Sequence, residues 1–344
     1  MTDQYPQPLR PLCIVGLGLI GGSIMRDAAT AGAEVFGHTL SRSGARQAQR
    51  DGYAVSHDLA ETLARAAEDD ALIVIATPMH AVAQILDAVV EHAPGCGITD
   101  VVSVKQPVYD LIIERGLQGQ YVGGHPMSGT ENSGWNAAQE GLFHRAAWAV
   151  TYDWAVELDE EGKRVPQEWA DLFTQVCKLA ALTGAEAVPV SVSRHDEAVA
   201  RVSHLPHVLA EALSIVGDKG GTLAQSLAAG SFRGATRVAG TDPVLVRNMV
   251  ETNAAALVPT LDEFIALLQQ VRDGLAGEKP SMKDLAEYGN RAYVRINARS
   301  GARRESVSPV RISSRPVMRV HPGAPGWVGH LRQIESLGGR VEVF

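Results

Sequence analysis

The segment from residue 12 to residue 24 constrains the fold most, because it passes from an apolar run through a glycine turn into helical sequence, LCIVGLGLIGGSI. Gly16, Gly18 and Gly21 occupy the three positions of G-x-G-x-x-G. The first permits a tight turn, the second lets backbone approach a pyrophosphate, and the third lets the helix pack on the strand. The helix N-terminus offers unpaired N–H groups to a diphosphate. We therefore predict a dinucleotide-binding turn; the alternative is a turn that serves packing alone.

Apolar runs and helical sequence continue to alternate up to about residue 192. The runs at 33–39, 71–77 and 98–105 are typical of buried parallel strands. Strands that alternate with helices predict an α/β fold with a Rossmann-type doubly wound sheet. Thr77 and Pro78 end the second of these runs, at the carboxyl edge where such sheets bind ligands. We predict that both contact the cofactor.

The residues at the end of the predicted strand at 33–39 indicate which dinucleotide binds. An enzyme that prefers NAD usually places an acid about 20 residues beyond the glycines to hold the ribose 2′-hydroxyl. Residues 39–43, TLSRS, contain no acid. Ser41, Ser43 and the guanidinium of Arg42 supply groups suited to a 2′-phosphate, although a solvated loop arginine is the alternative. NADP is the predicted cofactor, with NAD as the second choice.

The chain of 344 residues is long enough for two domains, and its character changes near residue 192. We predict a dinucleotide-binding domain over 1–192, an all-helical dimerisation and substrate domain over 193–298, and a short strand-helix-strand tail over 299–344. The helical part is apolar around more than one helix face, which favours burial in a homodimer.

Charge and cysteine content indicate the environment of the protein. The net charge of −8 argues against nucleic acid or an anionic membrane as a partner. The three cysteines lie far apart and form no C-x-x-C pair, as in reducing compartments. The N-terminal residues lack a basic region followed by an apolar one, and we expect no run of membrane-spanning length. These features predict a cytoplasmic protein.

Two polar residues follow predicted strands of the first domain. His125, in GGHPMSGTE, has an imidazole that could polarise or deprotonate a substrate hydroxyl as hydride leaves the same carbon. A loop histidine bonded to backbone is the alternative. Ser103 could hydrogen-bond that imidazole or the hydroxyl, or it could only cap a strand.

Polar residues of the helical part form a second group. Ser203 and His207 of SHLPH lie four residues apart on one helix face, and Pro206 bends that helix. His204 and His207 lack a nearby cysteine or acid as further ligand, so we predict no metal site. Arg237 could hold a carboxylate as a bidentate fork, or it could form a salt bridge.

Taken in order, the segments GLGLIGGS, ATP, DVVSVK, GGHPMSGTE, SHLPH and SFRGATRVAGTDP resemble motifs of the prephenate/arogenate dehydrogenase family of tyrosine biosynthesis. The resemblance covers about residues 12–272. It implies a Rossmann domain joined to a helical dimerisation domain. It also implies oxidative decarboxylation with hydride transfer to NAD(P), yielding tyrosine from arogenate or 4-hydroxyphenylpyruvate from prephenate.

The resemblance also implies residue roles. His125 is the catalytic histidine bonded to the substrate 4-hydroxyl, Ser103 is its hydrogen-bonding partner, and Arg237 holds the ring carboxylate. Ser203 and His207 match the SHLPH motif and help bind the other end of the substrate.

The two substrates differ only in their side chains, so discrimination belongs to residues at that end. The candidates are His204, His207 and Glu131, and an acid there would attract the ammonium of arogenate. The chain looks most like the actinobacterial branch of the family, in which arogenate use with NADP is common. It departs from the family at Gly234 and Val246, where Asp and Trp are frequent, and the tail does not clearly match a regulatory ACT domain.

Two other functions are compatible with the layout. A 2-hydroxyacid or beta-hydroxyacid dehydrogenase with the same two-domain layout typically needs a lysine on the substrate-domain helix, and residues 195–218 contain none. A non-catalytic NADP-binding sensor would not need His125 and Arg237 together. Absorbance at 340 nm with NADP and either substrate separates the three.

Overall fold

The structure is a computed structural model that describes residues 8–130, 132–299 and 315–344. Its contacts divide the chain into two units. The first comprises the residues up to Asp196 together with Val317–Phe344, and the second is Glu197–Pro316. The predicted ranges 1–192, 193–298 and 299–344 differ in treating the tail as a separate part.

The strands are β1 (Leu12–Val15), β2 (Val35–His38), β3 (Ala54–Ser56), β4 (Leu72–Ile75), β5 (Ile98–Asp100), β6 (Gly124–Pro126), β7 (Ala147–Thr151), β8 (Glu186–Val190), β9 (Val317–Val320) and β10 (Arg340–Val343). The helices are α1 (Leu19–Thr30), α2 (Arg42–Arg50), α3 (Leu59–Glu68), α4 (Met79–His92), α5 (Gln106–Glu114), α6 (Asp153–Glu160), α7 (Gln167–Leu182), α8 (Val192–Val199), α9 (Leu205–Asp218), α10 (Gly221–Leu227), α11 (Gly230–Thr236), α12 (Pro243–Thr252), α13 (Ala254–Ala276), α14 (Lys283–Arg299) and α15 (Trp327–Leu337).

A five-stranded parallel sheet with the order β3-β2-β1-β4-β5 forms the centre of the first unit. Strand β1 lies in the middle and is completely buried, as is β4 beside it. Burial on both faces explains why these strands are continuous apolar runs. The chain order reverses between β1 and β4, which is where doubly wound sheets bind their ligands. The predicted α/β class with a Rossmann-type sheet is confirmed.

A second sheet carries His125. Strand β6 pairs antiparallel with β7, which pairs parallel with β8. His125 faces Ala149 in this register. The antiparallel pair was not predicted, because β6 is only three residues long and contains a proline.

The predicted strand-helix-strand tail is present and belongs to the first unit. Strands β9 and β10 pair in parallel, and α15 follows β9. Trp327 and Leu331 of α15 are buried in the same core as Trp169 and Phe173 of α7. An element of this size cannot bury an independent core, so it packs on its neighbours.

The second unit contains only helices among residues 197–299. A π-helical turn, Ala200–His204, lies between α8 and α9. Pro206 in the first turn of α9 has no N–H to donate, and an irregular turn accommodates the missing bond. The sequence SHLPH predicts a bend at Pro206, and the structure shows a π-helical turn that ends two residues before it.

Helix α13 is long and apolar, with 23 residues and a hydropathy of 1.2 over a window that is 11% buried within the chain. By length and composition alone it could cross a membrane, so the expectation that no run reaches that length does not hold for this helix. Its exposed side chains include Val258, Ile265 and Leu268. A helix with so much exposed apolar surface in a helical domain needs a further partner.

Candidate active site

The glycine turn after β1 has a geometry that only glycine satisfies at two positions. Gly16 has a φ of +104°, and a Cβ there would lie 2.5 Å from the carbonyl oxygen of Ala76. A Cβ on Gly21 would lie 1.9 Å from the carbonyl oxygen of Gly16. A Cβ on Gly18, in contrast, would meet nothing within 4 Å. Close packing therefore explains Gly16 and Gly21, and Gly18 leaves its backbone open to approach.

This turn fits the pyrophosphate of a nicotinamide dinucleotide. Helix α1 begins after Gly18, whose lack of a side chain leaves the first N–H groups without a side-chain cap. Those groups and the helix dipole favour a phosphate. Thr77 follows β4 beside Gly16, and its buried Oγ1 has no hydrogen-bond partner among the described residues. Pro78 comes next and precedes α4.

The residues predicted to read the ribose lie at the start of α2. The N-cap of this helix is Ser41, whose Oγ accepts a hydrogen bond from the N–H of Gly44 at 3.1 Å. The hydroxyl of Ser43 lies 3.0 Å from that of Ser41. Arg42 is exposed at the first position of the helix. These positions leave the guanidinium accessible to a phosphate.

His125 lies on β6 and is half-buried. Its Nδ1 lies 2.9 Å from Nε2 of His195, and the two rings meet edge to face with centroids 5.1 Å apart. His195 is 3% exposed and its Nδ1 lies 2.7 Å from Oδ1 of Asp196. Two histidines and a carboxylate thus form one hydrogen-bonded series. Sequence reasoning assigned no role to His195 and Asp196.

The carboxylate of Asp196 caps the start of α5. It accepts hydrogen bonds from the backbone N–H groups of Lys105 and Gln106, both at 2.8 Å. Burial raises the pKa of this carboxyl, but the hydrogen bonds from His195 and the backbone outweigh burial and hold the pKa of Asp196 below its ordinary value. Burial lowers the pKa of His195, against the opposing effect of Asp196. His195 is therefore a neutral imidazole beside an ionised carboxylate.

A buried ion pair supports the strand that carries His125. Lys105 is completely buried, pairs with Asp100, and donates from Nζ to the carbonyl oxygen of Gly124 at 2.7 Å. The hydroxyl of Tyr121 donates to the same carboxylate at 2.6 Å. Burial lowers the pKa of Lys105, although Asp100 opposes that shift. The pair links the end of β5 to the residue immediately before His125.

The helix that carries His195 is anchored at its first turn by two carboxylates. The N–H of Val192 donates to Asp153 at 2.9 Å. The N–H and hydroxyl of Ser191 donate to Glu335 at 2.9 and 3.1 Å. Because Glu335 belongs to α15, the tail helps to set the position of α8.

The other predicted residues belong partly to the first unit and partly to the second. Ser103 is half-buried between β5 and α5, and its role as the partner of His125 stays a prediction. In the second unit, Nδ1 of His207 donates to the carbonyl oxygen of Ser203 at 2.9 Å. His204 is buried, and its Nδ1 accepts from the amide of Asn253 at 2.9 Å.

The last two site predictions are Arg237 and Glu131. Arg237 is exposed at the start of a 3-10 turn, Arg237–Gly240. Glu131 lies outside the described residues.

The fold and the site define a Rossmann-type oxidoreductase, in which a histidine on a second sheet stands within the unit that binds the nucleotide. Two family models match the chain: prephenate dehydrogenase, nucleotide-binding domain, over residues 30–160, and prephenate dehydrogenase, dimerization domain, over residues 191–289. Prephenate dehydrogenase of Bacillus subtilis is 31% identical over 271 residues, which are 76% of this chain and 69% of that protein. The chain belongs to the prephenate dehydrogenase family.

Solved structures agree with this assignment. A Corynebacterium glutamicum protein with a provisional description as prephenate dehydrogenase is 52% identical, with a TM-score of 0.90 over 97% of this chain and 99% of that one. The arogenate dehydrogenase of Synechocystis is 27% identical, with a TM-score of 0.67 over 83% of this chain and 99% of that one. The chain is accordingly an NAD(P)-dependent oxidoreductase of tyrosine biosynthesis that acts by oxidative decarboxylation.

Proposed function

We propose that this enzyme acts on arogenate in preference to prephenate and uses NADP in preference to NAD, with His125 as the group that accepts the proton of the substrate hydroxyl. The observation that carries the proposal is the half-buried imidazole of His125 on β6, with its Nδ1 already hydrogen-bonded. An imidazole near neutrality suits proton acceptance from a hydroxyl. The family assignment supplies the reaction in which such a group is needed.

The reaction requires few groups from the protein. The bound dinucleotide would supply the acceptor for the hydride of C4. As positive charge grows on that carbon, His125 would offset it by accepting the proton of the 4-hydroxyl, and after loss of CO₂ it would return that proton to the phenolate oxygen of the product. The ring carboxylate leaves as CO₂, and the electron pair it releases makes the ring aromatic. Arg237 holds the ring carboxylate before it departs, and Ser203, His204 and His207 bind the side-chain end.

The preference for NADP rests on the start of α2. No acid follows β2 at residues 39–43, and Arg42 is exposed there. The rest of this helix is also basic and carries no acid, RSGARQAQR. A 2′-phosphate would find a guanidinium and no repelling carboxylate, whereas the ribose of NAD would lack its usual acidic partner.

The preference for arogenate rests on charge at the side-chain end. Glu131 follows His125 by six residues in the sequence, and an acid there attracts an ammonium but not a ketone. The likeness to the arogenate dehydrogenase of Synechocystis is in line with this choice.

The second unit supports a homodimer. The exposed apolar residues of α13 suit an interface between two copies, and the family model over residues 191–289 describes a dimerization domain. A dimer in the cytoplasm would cover these residues without a membrane.

Absorbance at 340 nm tests the substrate and cofactor assignments. We expect the highest kcat/KM for arogenate with NADP among the four combinations of two substrates and two cofactors. Glu131→Gln should lower the ratio of kcat/KM for arogenate to that for prephenate. A wild-type preference for prephenate would refute the substrate assignment, and an unchanged ratio would remove Glu131 from side-chain recognition.

A further inference from the structure

The hydrogen-bonded series from α5 to His125 has a direction that can be worked out atom by atom. It starts at Asp196, whose two oxygens accept from the backbone N–H groups of Lys105 and Gln106. Asp196 is 4% exposed and ionised. An ionised carboxylate only accepts hydrogen bonds, so Nδ1 of His195 carries the proton in the 2.7 Å contact between them.

The protonation of His195 follows from its surroundings. Burial keeps this imidazole neutral, so it has one N–H, and that N–H points to Asp196. Its Nε2 therefore bears a lone pair and accepts. The charged groups near the ring are Asp196 at its side, Lys105 at the start of α5, and Asp100 at the end of β5. The cation of Lys105 also disfavours protonation of His195.

The same reasoning assigns the proton of the His125 ring to one of its two nitrogens. Since Nε2 of His195 accepts, Nδ1 of His125 must donate in the 2.9 Å contact. A neutral imidazole with its proton on Nδ1 has its lone pair on Nε2. Without an acceptor at Nδ1, the ring would divide between two tautomers, and in one of them Nε2 could not accept a proton.

We infer that His195 is a positioning residue, which holds His125 in the tautomer whose Nε2 accepts the substrate proton, and that Asp196 orients His195 in turn. The inference rests on the proposed function in that His125 is the proton acceptor. When Nε2 takes the proton, the Nδ1–H bond to His195 remains, and the carboxylate of Asp196, bonded to the far side of His195, supplies a balancing charge. No proton needs to leave the His125 ring for this stabilisation.

Two substitutions at one position separate this role from simple packing. Glutamine in His195→Gln can reach both neighbours, with its amide N–H toward Asp196 and its oxygen toward Nδ1 of His125. Asparagine in His195→Asn is shorter and can reach Asp196 but not His125. Both replacement side chains are polar and no bulkier than that of histidine. Thermal unfolding of each variant checks that the fold is retained.

We expect His195→Asn to lower kcat by about 10²-fold or more, with KM for substrate and cofactor changed by less than about threefold, because His195 is 3% exposed and acts through its hydrogen bond to His125. His195→Gln should restore kcat to within about tenfold of the wild type. Equal kcat values for the two variants, with both folded, would overturn the inference.

A spectroscopic measurement reads the tautomer without substrate. In enzyme labelled with ¹⁵N-histidine, NMR should show the proton of neutral His125 on Nδ1 in the wild type and in His195→Gln, and a mixture in His195→Asn. A wild-type proton on Nε2 would refute the inference even if the enzyme is active. Inactivity toward both substrates with a proton on Nδ1 would instead refute the proposed function alone.

Discussion

Replacing Lys105 with methionine should destabilise the first unit strongly. The substitution keeps the length of the buried side chain but removes its charge, and it leaves the completely buried carboxylate of Asp100 without its cation. Removing one partner of a buried ion pair costs about 3–5 kcal/mol. Asp100 keeps two donors, the hydroxyl of Tyr121 at 2.6 Å and the N–H of Val102 at 2.8 Å, which favours the lower end of that range. The lost bond to Gly124 adds about 1 kcal/mol, for a total of about 4 kcal/mol.

Urea unfolding followed by tryptophan fluorescence measures this loss selectively. All five tryptophans lie in the first unit, so their fluorescence reports on that unit: Trp135, Trp148, Trp154, Trp169 and Trp327. Lys163→Met is a matched control, because Lys163 is 65% exposed in its pair with Glu161 and such pairs contribute about 0–1 kcal/mol. Adding Asp100→Asn to Lys105→Met should recover part of the loss. A Lys105→Met protein within about 1 kcal/mol of the wild type would refute the reasoning.

Three further predictions concern the cofactor, pH and assembly. Arg42→Asp should lower kcat/KM for NADP by about 10- to 100-fold, the value of one charge-assisted hydrogen bond, and raise kcat/KM for NAD. Arg50→Asp, at the other end of α2, should leave the ratio of the two values unchanged. An equal ratio in the two variants would contradict the assignment of Arg42 to the 2′-phosphate. Burial raises the pKa of Asp153 from 3.8 to about 6, so this group stabilises the fold at low pH and loses that contribution as pH rises through about 6. In urea unfolding, Asp153→Asn should therefore gain stability relative to the wild type between pH 4 and 7, by up to roughly 3 kcal/mol. A difference in unfolding free energy between the two proteins that stays constant with pH would contradict the raised pKa. Ile265→Asp, on an exposed face of α13, should weaken a homodimer in sedimentation equilibrium, and an unchanged dimer would place the interface elsewhere.

The parts of the fold that sequence predicts are those with local signals. The turn at Gly16 and Gly21 is predictable because the three glycines follow a fixed spacing, although part of the close packing is with Ala76, just after the neighbouring strand β4. The buried strands are predictable because burial on both faces makes them continuously apolar. The ends of the strands are less predictable. The apolar run covers 98–105, but the strand ends at Asp100, whose side chain accepts a hydrogen bond from the N–H of Val102.

The hydrogen-bonded series at His125 could not be predicted, because it depends on contacts between distant parts of the chain. His125 and His195 are 70 residues apart, and Lys105 and Asp196 are 91 residues apart. The segment SRHDE has the composition of an ordinary solvated helix start, and only the anchoring of α8 turns His195 and Asp196 inward. The buried state of Lys105 is hidden for the same reason, since a lysine near a strand end is usually exposed.

The proposed reaction depends most on His125, which accepts the proton of the substrate hydroxyl during oxidative decarboxylation. The most direct measurement is kcat of His125→Asn with arogenate and NADP, followed at 340 nm, together with the dissociation constant of NADP. We predict that kcat falls by about 10²- to 10⁴-fold while NADP binding stays unchanged, because the residue acts on the transition state and not on the cofactor. A kcat close to that of the wild type would contradict the claim.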